Sequence, residues 1–129
     1  PKSHEGPFYD HYDKDDNWLG YIQDDKLAEA GLDKAVELTG PAGTITVHHC
    51  ATLHASCANL SKLGRPVLIV TYCACDAVGY TAVTYPTSNC LKVVRGEETK
   101  FARLEPMNMR MPPDWSDGYT SIFEHQEKV

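Results

Sequence analysis

The sequence lacks any apolar run long enough to cross a bilayer. Its longest, PVLIVTYCA at residues 66–74, is nine residues, whereas a spanning helix needs about 20. No basic segment followed by an apolar one opens the chain, so no secretory leader is read there. Methionine is missing from position 1, and the opening PKSH is expected to be a processed terminus or the start of a piece of something longer. Clusters of Lys and Arg are also missing, which argues against a phosphate-binding surface; the expected partners include neither nucleic acid nor a membrane. Internal repeats and heptads are absent. The five cysteines at 50, 57, 73, 75 and 90 make an odd set without a Cys-x-x-Cys pair. That speaks against a disulfide framework and for reduced thiols in a cytoplasmic protein.

What is present fits one globular domain. A chain of 129 residues with 42% hydrophobic content can bury a core. Its net charge of −6 is unevenly placed: residues 1–33 hold nine acids and three lysines, whereas 34–129 hold nine acids and nine bases. The first 33 residues therefore form an acidic, solvated loop region, with a short helical turn expected around DDKLAEAG at 24–31. Residues 34–95 carry the strand signals: AVELT at 35–39, TITVHHC at 44–50, RPVLIVTYCAC at 65–75 and NCLKVV at 89–94. GPAG at 40–43 reads as a turn between the first two. RPVLIVTYCAC is apolar enough to be buried on both faces of a sheet. Residues 96–129, rich in proline and without a clear period, are expected to wrap over the body. Short strands between turn signals predict a mostly β fold. Three or four strands close a barrel poorly and leave edges that need covering.

The chemistry concentrates in HHCATLHASCANLSKLGRP at 48–66. One reading is zinc, because His48, His49, Cys50, His54, Cys57, Cys73 and Cys75 offer nitrogen and sulfur donors. His49 and His54 approximate one half of a zinc spacing, but the paired cysteines of the other half are missing. A second reading is a cysteine nucleophile with a histidine base; nothing local singles out one thiol, and a cysteine is more often a small apolar residue. A third combines His54, Ser56 and Arg65. A neutral imidazole can hold a metal, and an arginine 11 residues on can clamp a carboxylate through its rigid fork. The simpler alternative leaves Arg65 on the surface and His54 as a histidine with satisfied hydrogen bonds.

Residues 40–77, GPAGTITVHHCATLHASCANLSKLGRPVLIVTYCACDA, resemble the C-terminal signature of the phytanoyl-CoA dioxygenase family. The pattern there is a glycine-rich turn, a strand ending in His, then His-Gly-Ser, Asn, Ser, Arg and an apolar strand. This sequence places His49, His54-Ala55-Ser56, Asn59, Ser61, Arg65 and PVLIVTY in that order. PKSHEGP is similar to the family's Pro-Gly-Ser-His segment, with Lys2 in place of the glycine, and MRMPPDWSDGYTSIFEHQ looks like tails of bacterial members. The resemblance implies a non-haem Fe(II), 2-oxoglutarate-dependent oxygenase that hydroxylates a small organic substrate on a double-stranded β-helix, a jelly-roll or cupin-like barrel. It implies His54 as the distal iron ligand, Arg65 as the partner of the far carboxylate of 2-oxoglutarate, and Ser56 as a hydroxyl partner. His49 would lie near the site, in packing or in a family role.

Iron in this family sits in a triad of two histidines and a carboxylate. The family's His-x-Asp pair lies upstream of the Pro-Gly-Ser-His segment, which here is residues 1–4. His11-Tyr12-Asp13 has the right letters, but it follows that segment, in an acidic loop. The resemblance therefore implies the C-terminal half of an oxygenase, an incomplete barrel that is inactive as an isolated chain. Self-association, or a missing N-terminal half that completes the barrel, is expected to cover its sheet edges. The alternative from another class is a non-catalytic β module with a binding or structural task.

Overall fold

The acidic opening folds through its own carboxylates and turn residues. A computed structural model of the chain describes residues 1–79, 81, 83 and 86–115. They fall into two compact units, one built on Pro1–Ala58 and the other on the described residues of 59–115.

In the first unit, PKSHEG makes a single 3₁₀ turn over Ser3–Glu5. The chain then runs into a tight hairpin, in which Tyr12 and Trp18 form an antiparallel bridge. The Asp13 N–H donates to the Asn17 carbonyl at 2.9 Å, and the Leu19 N–H donates to the His11 carbonyl at 2.7 Å. The tip is an Asx turn: one Asp13 carboxylate oxygen accepts the N–H groups of Asp15 and Asn17, each at 2.8 Å. Asp16 takes φ 65°, a left-handed conformation that aspartate tolerates better than most residues. The Gln23 side-chain amide donates to the Tyr12 carbonyl and ties the hairpin to the helix that follows. Helix α1, Asp24–Leu27, forms within the segment where a helical turn was expected; two aspartates in its first turn suit the positive end of its dipole. Gly31 ends the helical region at φ 76°, and a second 3₁₀ turn follows over Leu32–Lys34. The core of this unit is small: among the described residues Leu19, at 8% exposure, is the one apolar residue that is buried.

The turn expected at GPAG forms. The Thr44 N–H donates to the Pro41 carbonyl at 3.1 Å, and Gly43 takes the positive φ, 89°, that the third position of such a turn calls for.

In the second unit, side chains shape the loops. The Asn59 carbonyl oxygen accepts from the Ser61 N–H at 3.1 Å and from its hydroxyl at 2.8 Å, and the Asn59 amide donates to the Leu63 carbonyl at 2.7 Å. Farther on, the Arg103 N–H donates to the Asp76 carbonyl at 2.8 Å, and the two side chains pair at 3.3 Å.

The expectation of a mostly β, double-stranded β-helix is not met. Among the described residues the Tyr12–Trp18 bridge is the extent of β pairing, and no sheet or barrel forms. The predicted strand TITVHHC leaves Ile45 and Val47 at 85% and 92% exposure, and Leu68 in RPVLIVTYCAC is 90% exposed. The physical reason is that β propensity states a preference for a pleated, half-buried surface, while a strand exists only as one side of a ladder. These segments have the side chains of strands and no partner segment among the described residues. No helix among the described residues is long and apolar enough to cross a membrane. The tail expected to wrap over the body lies outside the described residues from 116 onward.

Candidate functional site

His54 is exposed on the first unit, and its ring is set by its own backbone. Nδ1 lies 2.8 Å from the Thr52 carbonyl oxygen. A carbonyl only accepts, so this bond takes the proton on Nδ1, and in the neutral ring it leaves the lone pair on Nε2. That is the arrangement by which an outer hydrogen bond fixes the tautomer of a metal-binding histidine. The donor chemistry thus fits one imidazole ligand to a metal.

The backbone just before His54 is held from the other end of the unit. The Leu53 N–H donates to the Ser3 hydroxyl at 3.0 Å across 50 residues, and the ring centres of His4 and His49 stand 5.5 Å apart. The PKSH segment therefore braces the 49–53 stretch that carries His54. Lys2, in the position of the resembling segment's glycine, takes φ 67°, a left-handed backbone that glycine adopts without strain. The glycine pattern has a conformational basis here, and lysine carries it at a cost of about 1 kcal/mol.

Ser56 is exposed and lies in the first unit with His54, whereas Arg65 is exposed and belongs to the second. The residues expected to form one pocket thus divide between two units. Asn59 and Ser61 have a structural task, closing the loop that precedes Arg65. His49 carries its proton differently from His54: the Ala51 N–H donates to its Nδ1 at 3.2 Å, so the lone pair of that ring is already engaged at Nδ1.

His11 and Asp13 are built into the hairpin. The Asn17 side chain donates to the second Asp13 carboxylate oxygen at 2.9 Å, so both oxygens accept hydrogen bonds from the turn. The Asn17 side-chain bond, then that residue's backbone bond, hold the Asp13 carboxyl below the usual carboxylate value. Half-burial lowers the His11 imidazole below its usual value, against the opposing pull of Asp10. This arrangement supports a turn and leaves Asp13 poorly disposed toward a metal. All five cysteines are exposed, with no disulfide, and no group of three or more metal-ligating side chains occurs among the described residues.

Sequence reading singled out His54 as a candidate but not its supports. Ser3 lies inside a recognised motif, yet its contact spans 50 residues and leaves no periodic signal. Spacing likewise does not reveal tautomers, which depend on local backbone carbonyls.

Comparison with known proteins gives two matches. The family model described as phytanoyl-CoA dioxygenase (PhyH) matches residues 1–67. A protein of Stutzerimonas stutzeri named "Probable alpha-ketoglutarate-dependent hypophosphite dioxygenase" is 31% identical over 142 aligned positions, which take in 100% of this chain and 46% of the relative. The chain thus spans about half the length of that curated relative. No solved structure shows significant similarity to it.

Proposed function

The chain belongs to the phytanoyl-CoA dioxygenase family, and from that premise we propose that it supplies part of the active site of an Fe(II)- and 2-oxoglutarate-dependent oxygenase acting on a small molecule. The observation that carries this reading is the His54 ring: Nδ1–H is committed to the Thr52 carbonyl at 2.8 Å, and Nε2 is left as the ligating atom. In this reading Arg65 pairs with the far carboxylate of 2-oxoglutarate through two parallel charge-assisted bonds, and Ser56 adds a hydroxyl. Bound iron would supply the oxygen activation that is coupled to decarboxylation of 2-oxoglutarate to succinate. Of this chain's own residues, Ser3 holds the backbone ahead of His54 and Thr52 orients its ring, while Asn59 and Ser61 set the loop ahead of Arg65. The hypophosphite named for the relative extends the candidate substrates from small organic molecules to small oxyanions.

The test is succinate formation from 2-oxoglutarate by the full-length protein. His54→Ala and Arg65→Ala should each reduce it at least a hundredfold, because each removes a group in direct contact with metal or co-substrate. Succinate formation that persists in both variants overturns the assignment. Its absence from the unaltered protein overturns the oxygenase reading and favours a non-catalytic module.

A further inference from the structure

We propose that His49 is a positioning residue of the candidate site, which sets through one backbone turn the ring nitrogen that His54 offers to a metal. The proposal rests on the reading of His54 as a metal ligand, and it gives His49 no contact with the metal.

Three successive amides lead into His54, and each has a partner. The Ala51 N–H donates to Nδ1 of His49 at 3.2 Å, and the Thr52 N–H donates to the His49 carbonyl at 2.9 Å. The Leu53 N–H donates to the Ser3 hydroxyl at 3.0 Å. His49 thus holds two of the three, one with its ring and one with its backbone. Its ring acts as an asparagine side chain does in an Asx turn, accepting from the amide two residues on. The Cys50 thiol stands 3.9 Å from the same nitrogen and is a weak second donor to it. Accepting there requires an unprotonated Nδ1, which in the neutral ring puts the proton of His49 on Nε2. The His4 ring, its centre 5.5 Å away, leans against that ring.

The effect is passed on at Thr52. Its carbonyl, 2.8 Å from Nδ1 of His54, belongs to the same planar peptide as the Leu53 N–H. His49 fixes the two peptides before that one, and Ser3 fixes its N–H, so the carbonyl is aimed from both sides. Opening the His49 turn lets the carbonyl rotate away from His54. The His54 proton then moves to Nε2, the form that a free neutral histidine prefers, and blocks the nitrogen assigned to the metal. His49 is exposed, so its contribution comes from these hydrogen bonds and not from packing in a core.

The experiment is long-range proton–nitrogen NMR on the 129-residue chain with labelled histidine, at about pH 8.5, above the usual imidazole range. His54 of the unaltered chain should carry its proton on Nδ1. His49→Ala should move the ratio of its two forms at least about fivefold toward Nε2–H, the effect of losing one ordinary hydrogen bond. His49→Asn keeps an acceptor at the δ position and should hold the ratio within about twofold. The Asn17 amide, held by Asp13, should keep its exchange protection in both variants. In the full-length protein, His49→Ala should lower succinate formation about tenfold, as loss of an outer partner of a ligand does, and His49→Asn should restore it. An unchanged His54 ratio in His49→Ala overturns the proposal, and so does an asparagine variant that behaves like the alanine one. Loss of Asn17 protection also overturns it, because His49 is then a general support of the unit. A shifted ratio with unchanged succinate formation removes the positioning role in the reaction. The His54 ratio is read without iron, whereas the ligand reading is tested by succinate formation in His54→Ala, so the two fail in different measurements.

Discussion

Replacing Ser3 with alanine removes the acceptor of the Leu53 N–H, a partly buried hydrogen bond of 3.0 Å one residue ahead of His54. A hydrogen bond of this kind contributes about 1 kcal/mol net, and a donor left unsatisfied raises the cost to about 2 kcal/mol. Both ends of the bond lie in the first unit, so the loss acts on the local opening that frees residues 49–54. At room temperature those energies correspond to a rise of about fivefold to thirtyfold in the open population. Amide hydrogen exchange measured by NMR, under conditions where closing outpaces exchange, reads that population directly. Leu53 in Ser3→Ala should exchange faster by that factor. The Asn17 amide, held by Asp13 within the hairpin, should not change. Ser3→Thr keeps the hydroxyl and should restore most of the protection. An unchanged Leu53 rate in Ser3→Ala refutes the brace, and so does a threonine variant that exchanges as fast as the alanine one.

Two further outcomes follow from the fold. Leu68→Ala should shift stability by less than about 0.5 kcal/mol in urea unfolding, since Leu68 is 90% exposed; a loss of about 2 kcal/mol or more would mean that this segment is buried as a strand after all. The Asp13 carboxyl, depressed in the fold chiefly by the Asn17 side chain, contributes stability that is present above its unfolded value and lost as pH falls through its folded one. Asn17→Ala removes that side-chain bond, so its urea midpoint should fall less steeply below about pH 4 than that of the unaltered chain; an equally steep fall refutes the assignment of Asp13.

The local turns were legible because their chemistry is local. The GPAG turn and the helix at Asp24–Leu27 are written in residues that touch each other. The strands were misread for the opposite reason. Val67–Val70 has the branched side chains of a buried strand, but a ladder needs a second segment, and one segment's sequence does not contain it. The candidate site was legible to the extent that it is a motif. His54 stood out by the spacing of its neighbours; the brace from Ser3 and the opposed ring orientations of His49 and His54 arise only when backbone carbonyls and amides take up positions in space.

The Ser3–Leu53 bond also orders events in time. It closes a loop of 50 residues, whereas the Tyr12–Trp18 bridge closes one of six. Closure entropy grows as (3/2)RT times the logarithm of length, so the longer loop costs about 2 kcal/mol more to close. That exceeds what the bond itself returns, about 1 kcal/mol. The hairpin therefore closes at less cost than the brace, which closes only once the intervening chain has been drawn in. The segment bearing His54 is thus among the last parts of its unit to become ordered and among the first to be released.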